Sequence, residues 1–134
     1  MVLSSLGKHK DAGLLLMRLA IGVAYMVYGY PKITGGLEMW RNVGSAMNVF
    51  GIEFGAPFWG ALAAISEFIG GFLILIGFAF RPACLFLSFT MLVATLFHLQ
   101  SGDGFDKYSH AATMCLVFLG LLFTGAGKYS LDRK

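Results

Sequence analysis

The sequence predicts an all-α fold: a bundle of four transmembrane helices with an additional amphipathic helix on its outer side. Three observations carry that reading. Four apolar stretches fill most of the 134 residues. Hydrophobic residues make up 57% and charged residues only 13%, against about a quarter charged in ordinary soluble domains. Mean hydropathy is +0.75, and few charges interrupt the stretches. The chain is too short for two substantial domains, so residues 1–134 are read as a single integral membrane domain.

The first span covers about 12–30, AGLLLMRLAIGVAYMVYGY. At about 1.5 Å per residue it matches a hydrocarbon core of about 30 Å. The second covers about 57–78, PFWGALAAISEFIGGFLILIGF, with Pro57 placed to open a helix. The third runs from Pro82 to about Leu99, and the fourth over about 109–126. Lys8 and Lys10 before the first run also suit a signal peptide. That run, however, exceeds a signal core of about 7–15 residues, contains Arg18 and lacks a small-residue cleavage motif. It is therefore expected to remain as a span. A soluble protein would need polar sequence to cover four such helices, and almost none is left over.

Basic residues near the span ends set an expected orientation. Lys8, Lys10, Arg81, Lys128, Arg133 and Lys134 fall on one side, and Lys32, Arg41 and Lys107 on the other. The richer side, with both termini, is expected to be cytoplasmic, in a bacterial inner or an archaeal cytoplasmic membrane. On the outer side, Met39, Trp40, Val43, Met47 and Phe50 recur at three- and four-residue intervals. That pattern predicts an interfacial helix over 39–50 with Trp40 in the headgroup belt, serving as an anchor or as cover for an opening.

Ionisable groups inside a membrane face a partner or a wet cavity. Arg18 lies roughly 9 Å above the inner edge and Glu67 about 15 Å from either edge at 1.5 Å per residue. An Arg18–Glu67 pair, direct or through water, is expected if the first two spans are neighbours; it serves packing or chemistry, and both readings stay open. Arg18, Gly22, Tyr25, Gly29 and Lys32 fall on one face of the first helix, joining charge, small contacts and a phenol. Glu67 is surrounded by Gly60, Ala63, Ala64, Gly70 and Gly71, which permit a tight bundle or room for a planar ligand. His98 closes the third span and His110 opens the fourth, so both are expected at one outer vestibule, as proton relays, ring-oxygen ligands or interfacial caps.

Other chemistries find little support. No Cys/His spacing defines a metal or haem site. Cys84 and Cys115 are expected at different depths, too far apart for a disulfide. No Lys/Arg stripe suggests nucleic acid, and there is no dinucleotide fingerprint, P-loop or iron–sulfur cysteine set. Transport is disfavoured because no internal repeat or broken-helix pattern is visible.

The chain resembles the DoxX family of small four-helix membrane proteins. The resemblance rests on LLLMRLAIGVAYMVYGYPKI, SEFIGGFLILIGFAFRP, the histidine of the third span and TGAGKYSLDRK. Arg18, Gly29, Lys32, Glu67, Gly70, Gly71 and His98 stand at positions that recur in the family, and Tyr28 stands where many relatives carry histidine. Some relatives are membrane components of thiosulfate:quinone oxidoreductases and others are linked to redox balance. The resemblance thus implies a membrane subunit associated with quinone-linked oxidoreduction. In that reading Glu67, His98 and His110 carry the proton chemistry, and Arg18, Tyr25 and Lys32 line the quinone pocket. No metal or covalent cofactor is expected, and any electrons are expected to be carried by a quinone or by a partner's cofactor. The alternative is a non-catalytic scaffold or assembly subunit, with lipids and either a protein partner or a second copy as neighbours.

Overall fold

The computed structural model describes residues 2–132. A 3-10 turn, Ser4–His9, leads into α1 (Lys10–Thr34), followed by α2 (Gly36–Gly44) and a 3-10 segment, Ser45–Phe50. Three further helices complete the chain: α3 (Ala56–Ile76), α4 (Phe80–Gln100) and α5 (Phe105–Thr124). Helices α1, α3, α4 and α5 are the four membrane-spanning helices, and α2 is the shorter additional one.

The bundle has two distinct ends. The terminal end holds the start of α1, the α3–α4 turn and the tail after α5; the loop end holds α2 and the α4–α5 connection. Lys8, Lys10, Arg81 and Lys128 lie at the terminal end, and Lys32, Arg41 and Lys107 at the loop end. Arg133 and Lys134, also counted toward the terminal side in the sequence, lie outside the described residues.

Glycines bring α1 and α3 together. A Cβ on Gly22 would stand 2.8 Å from the Gly71 carbonyl oxygen, and one on Gly29 would stand 2.6 Å from the Phe68 nitrogen. The buried residues of α1 are Arg18, Gly22, Tyr25 and Gly29, the face expected from their spacing. Helix α3 packs in turn on α4, and α4 on α5, around a core that includes Ile74, Cys84, Leu87 and Phe118. Among the described residues no Cα of α1 comes within 8 Å of one on α5. Rings close this seam: Tyr25 meets Phe118 edge-on at 5.0 Å between centroids. Outward faces carry exposed residues such as Val27, Ile65, Phe86 and Leu116, as contact with lipid requires.

The amphipathic segment at the loop end is not one helix. It begins earlier than expected, at Gly36, and gives way to the 3-10 segment after Gly44. The Ser45 hydroxyl donates to the Asn42 carbonyl at 2.6 Å, competing for an acceptor of the helical ladder. Gly44 lies on the Ala56 carbonyl and Gly60 on the Trp40 carbonyl, so α2 is seated on the first turn of α3. The Trp40 indole N–H is turned inward and donates to the Lys32 carbonyl at 2.8 Å. That carbonyl belongs to the last turn of α1, where no intrahelical donor remains.

Candidate functional site

The register set by Gly22 on Gly71 and Gly29 on Phe68 decides which charges meet. In this antiparallel pair, position 18 falls opposite the end of α3, and position 32 comes within side-chain reach of Glu67. Lys32 Nζ donates to both Glu67 carboxylate oxygens at 2.8 Å. The Glu67 side chain is 4% exposed and that of Lys32 is 32% exposed, so the carboxylate is fixed and the ammonium is the accessible partner. Helix α1 continues through Pro31 to Thr34, which carries Lys32 on a helix end rather than in a loop.

The expected Arg18–Glu67 pair is therefore not formed. The buried Arg18 guanidinium is committed to backbone carbonyls: Nε donates to Ile74 at 3.0 Å, Nη2 to Leu75 at 2.9 Å, and Nη1 to Ala126 at 3.3 Å and Tyr129 at 2.6 Å. Ile74 and Leu75 lie seven and eight residues past Glu67 on α3, about 11 Å along the axis at 1.5 Å per residue. Carbonyls of the last helical turn have no intrahelical donors, and a cation there also offsets the negative end of the helix dipole. Arg18 thus caps α3 and anchors the tail.

The tail completes that end. Leu131 and Asp132 donate their N–H groups to the Ile76 and Gly77 carbonyls. The Asp132 carboxylate accepts from the N–H groups of Ala79 and Phe80 at 3.1 and 2.9 Å, capping the start of α4. Arg81 Nε donates to the Leu122 carbonyl near the end of α5. Gly77, at φ +71°, has no room for a side chain, because a Cβ would meet Ser130 and the Arg18 guanidinium.

At the loop end the other five residues expected at the site converge. A cavity of about 490 Å³ is lined by Tyr25, Lys32, Glu67, His98 and His110, with Tyr28 and Lys107. All four long helices contribute to it. The Tyr25 hydroxyl donates to the Met91 sulfur at 3.2 Å. Its ring stands edge-on to Tyr28, which stands edge-on to His110 at 5.9 Å between centroids. His98 Nδ1 lies 2.7 Å from Asp103 Oδ2. If a neutral His98 gives Nδ1–H to this carboxylate, Nε2 is left as an acceptor; when protonated, both nitrogens donate.

Tyr28 was not among the residues expected at the site, although its three-residue spacing from Tyr25 places it on the same face. Asp103, five residues past His98, becomes its partner only through the turn after α4, which spacing along the helix does not reveal. Among the described residues no group of three or more His, Cys, Asp or Glu is placed to hold a metal ion.

Comparison with known proteins agrees with this architecture. The DoxX family model matches residues 13–99. The chain is 36% identical over 131 residues to the inner membrane protein YqjF of Escherichia coli (strain K12), covering 94% of each chain. It is 27% identical over 139 residues to the inner membrane protein YphA of the same organism, covering 96% of this chain and 94% of that relative. No solved structure matches. The four apolar helices and the match across 13–99 together show that this chain is an integral membrane protein of the DoxX family.

Proposed function

We propose that the protein is a quinone-binding membrane subunit of an oxidoreductase system, seated in an inner membrane with both termini cytoplasmic. One observation carries the reading: Tyr25, Lys32, Glu67, His98 and His110, drawn from four helices, line one cavity. Its volume of about 490 Å³ lies within the range of roughly 300–1,000 Å³ typical of small-molecule pockets. The donor set suits a ring carrying carbonyl oxygens, because His98, His110 and Tyr28 offer hydrogen bonds and Lys32 offers positive charge. A bound quinone supplies two-electron, two-proton chemistry, with electrons delivered by a protein partner. His98, oriented by Asp103, and His110 hold the ring oxygens and exchange protons there. Lys32 stabilises negative charge on an oxygen, and the buried Glu67 carboxylate is its counter-ion. Tyr25 walls the deep side. Arg18, spent on carbonyls, holds the scaffold rather than the ring. The inner-membrane location is supported by the names of the two relatives, and the orientation by the surplus of lysine and arginine at the terminal end.

A scaffold role draws on a different observation. Among the described residues no buried side-chain nitrogen or oxygen lacks a hydrogen-bond partner, so the polar centre is also complete as packing. Reconstitution with candidate quinones and copurifying proteins separates the two readings. Glu67→Gln and His98→Ala are expected to lower electron transfer, by on the order of 10²-fold where a proton-transferring group is removed, with assembly unchanged. Turnover equal to the parent in both variants refutes the quinone reading and leaves the scaffold.

A further inference from the structure

The loop-end cavity has a neighbour. A second cavity, of about 220 Å³, lies beneath α2 and the 3-10 segment, between α3 and α4. Lys32, Glu67 and Ala94 line both, so the dividing wall is a few side chains thick. The two compartments differ in chemistry. Histidine, tyrosine and lysine face the first, whereas Met47, Ala63, Val93 and the exposed Leu62, Phe86 and Phe89 face the second. Those three exposed residues sit on helices whose outward faces meet lipid, so the apolar compartment opens toward the bilayer rather than toward water.

We propose that the two cavities are halves of one site for a membrane-dissolved lipid with a ring-shaped polar head. The head rests at His98 and His110, and the apolar chain lies under α2 against Ala63 and Val93. This rests on the quinone reading above and adds where the chain lies and how the molecule arrives: sideways from the bilayer, between α3 and α4. Lys32 is the part of the wall that moves, because it is a third exposed on a flexible four-carbon stem while Glu67 is buried. Moving a chain from lipid into an apolar cavity gains little hydrophobic free energy, since lipid tails are equally apolar. The second cavity therefore contributes access and orientation, and the polar contacts of the head supply affinity. The chain's position, not the binding strength, is what a test must read.

The protein in lipid nanodiscs is photolabelled with two quinone probes, one long-chained with a diazirine on its chain and one short-chained with the diazirine on its ring. Adducts are then located by mass spectrometry. Chain adducts are expected on the faces of α2, α3 and α4 that line the second cavity, and ring adducts around Tyr28, His98 and His110. Ala63→Phe, which fills the second cavity, is expected to remove more than half of the chain adducts there while the short ring probe still labels. If Ala63→Phe does not fold, Thr90→Leu on the facing helix makes the same comparison. Chain adducts scattered over the lipid faces of all four long helices, with ring adducts in place, overturn this inference alone. Absence of ring adducts from the loop-end cavity overturns the quinone reading and this inference with it.

Discussion

Arg18→Met keeps an apolar stem of similar length and deletes the guanidinium, leaving the carbonyls of Ile74, Leu75, Ala126 and Tyr129 without this donor. Hydrogen bonds from a charged donor contribute about 1.5–3 kcal/mol each, so four would total roughly 6–12 kcal/mol if they were independent. They are not independent, because one buried cation makes all of them and its own desolvation cost disappears with it. A buried acceptor left without its donor costs about 1–3 kcal/mol, and with the desolvation of the cation recovered we take about 4 kcal/mol for the four together. For a chain of this length about 1 kcal/mol corresponds to roughly 4 °C, so the expected drop is on the order of 15 °C. The assay is thermal unfolding in detergent, followed by thiol-dye labelling of the fully buried Cys84 in a Cys115→Ala background. Arg18→Lys should fall between parent and Met, because an ammonium cannot span four acceptors as a guanidinium fork does. A loss under about 3 °C for Arg18→Met would refute the capping argument at the same scale. A second refutation is available: Arg18→Met and Glu67→Gln should be additive to within about 0.5 kcal/mol, as expected for sites without shared partners.

Lys32→Met and Glu67→Gln, by contrast, should couple by about 1–3 kcal/mol in a double-mutant cycle read by the same melting assay, and additivity would mean that the pair does not form in the membrane protein. Gly29→Ala places a Cβ 2.6 Å from the Phe68 nitrogen, so α1 and α3 must separate, at a cost of about 1–3 kcal/mol. Gly13→Ala, where nothing lies within 4 Å, should melt no lower than the parent. Asp132→Ala removes the acceptor for two N–H groups at the start of α4 and should cost about 1–2 kcal/mol. Hydrogen exchange should quicken at Ala79 and Phe80 while amides in mid-α4 keep their protection.

Much of the architecture was legible because bilayer thickness and helix periodicity are strong constraints on a chain this apolar. The four long helices, the amphipathic segment and the buried face through Arg18, Gly22, Tyr25 and Gly29 all follow from run length and three- and four-residue spacing. The convergence of the two histidines at one vestibule followed from their places at facing span ends. Where a span stopped was less legible: Tyr30-Pro31 read as an end, yet α1 continues to Thr34. A proline near a helix terminus costs one hydrogen bond in a turn that neighbours can support, and Trp40 supplies such support from α2.

Periodicity along each helix determined which side chains point inward, and composition determined that they do so within a membrane. Partner choice was decided only in three dimensions, because it depends on the axial register of one helix against another. A shift of one turn moves a side chain about 5.4 Å, enough to exchange one partner for another. Contacts of Gly22 with Gly71 and Gly29 with Phe68 set that register, giving Glu67 to Lys32 and sending Arg18 to the end of α3. The tail's return over the α3–α4 turn, which supplies two of the Arg18 acceptors, links positions more than 100 residues apart and leaves no periodic trace in the sequence.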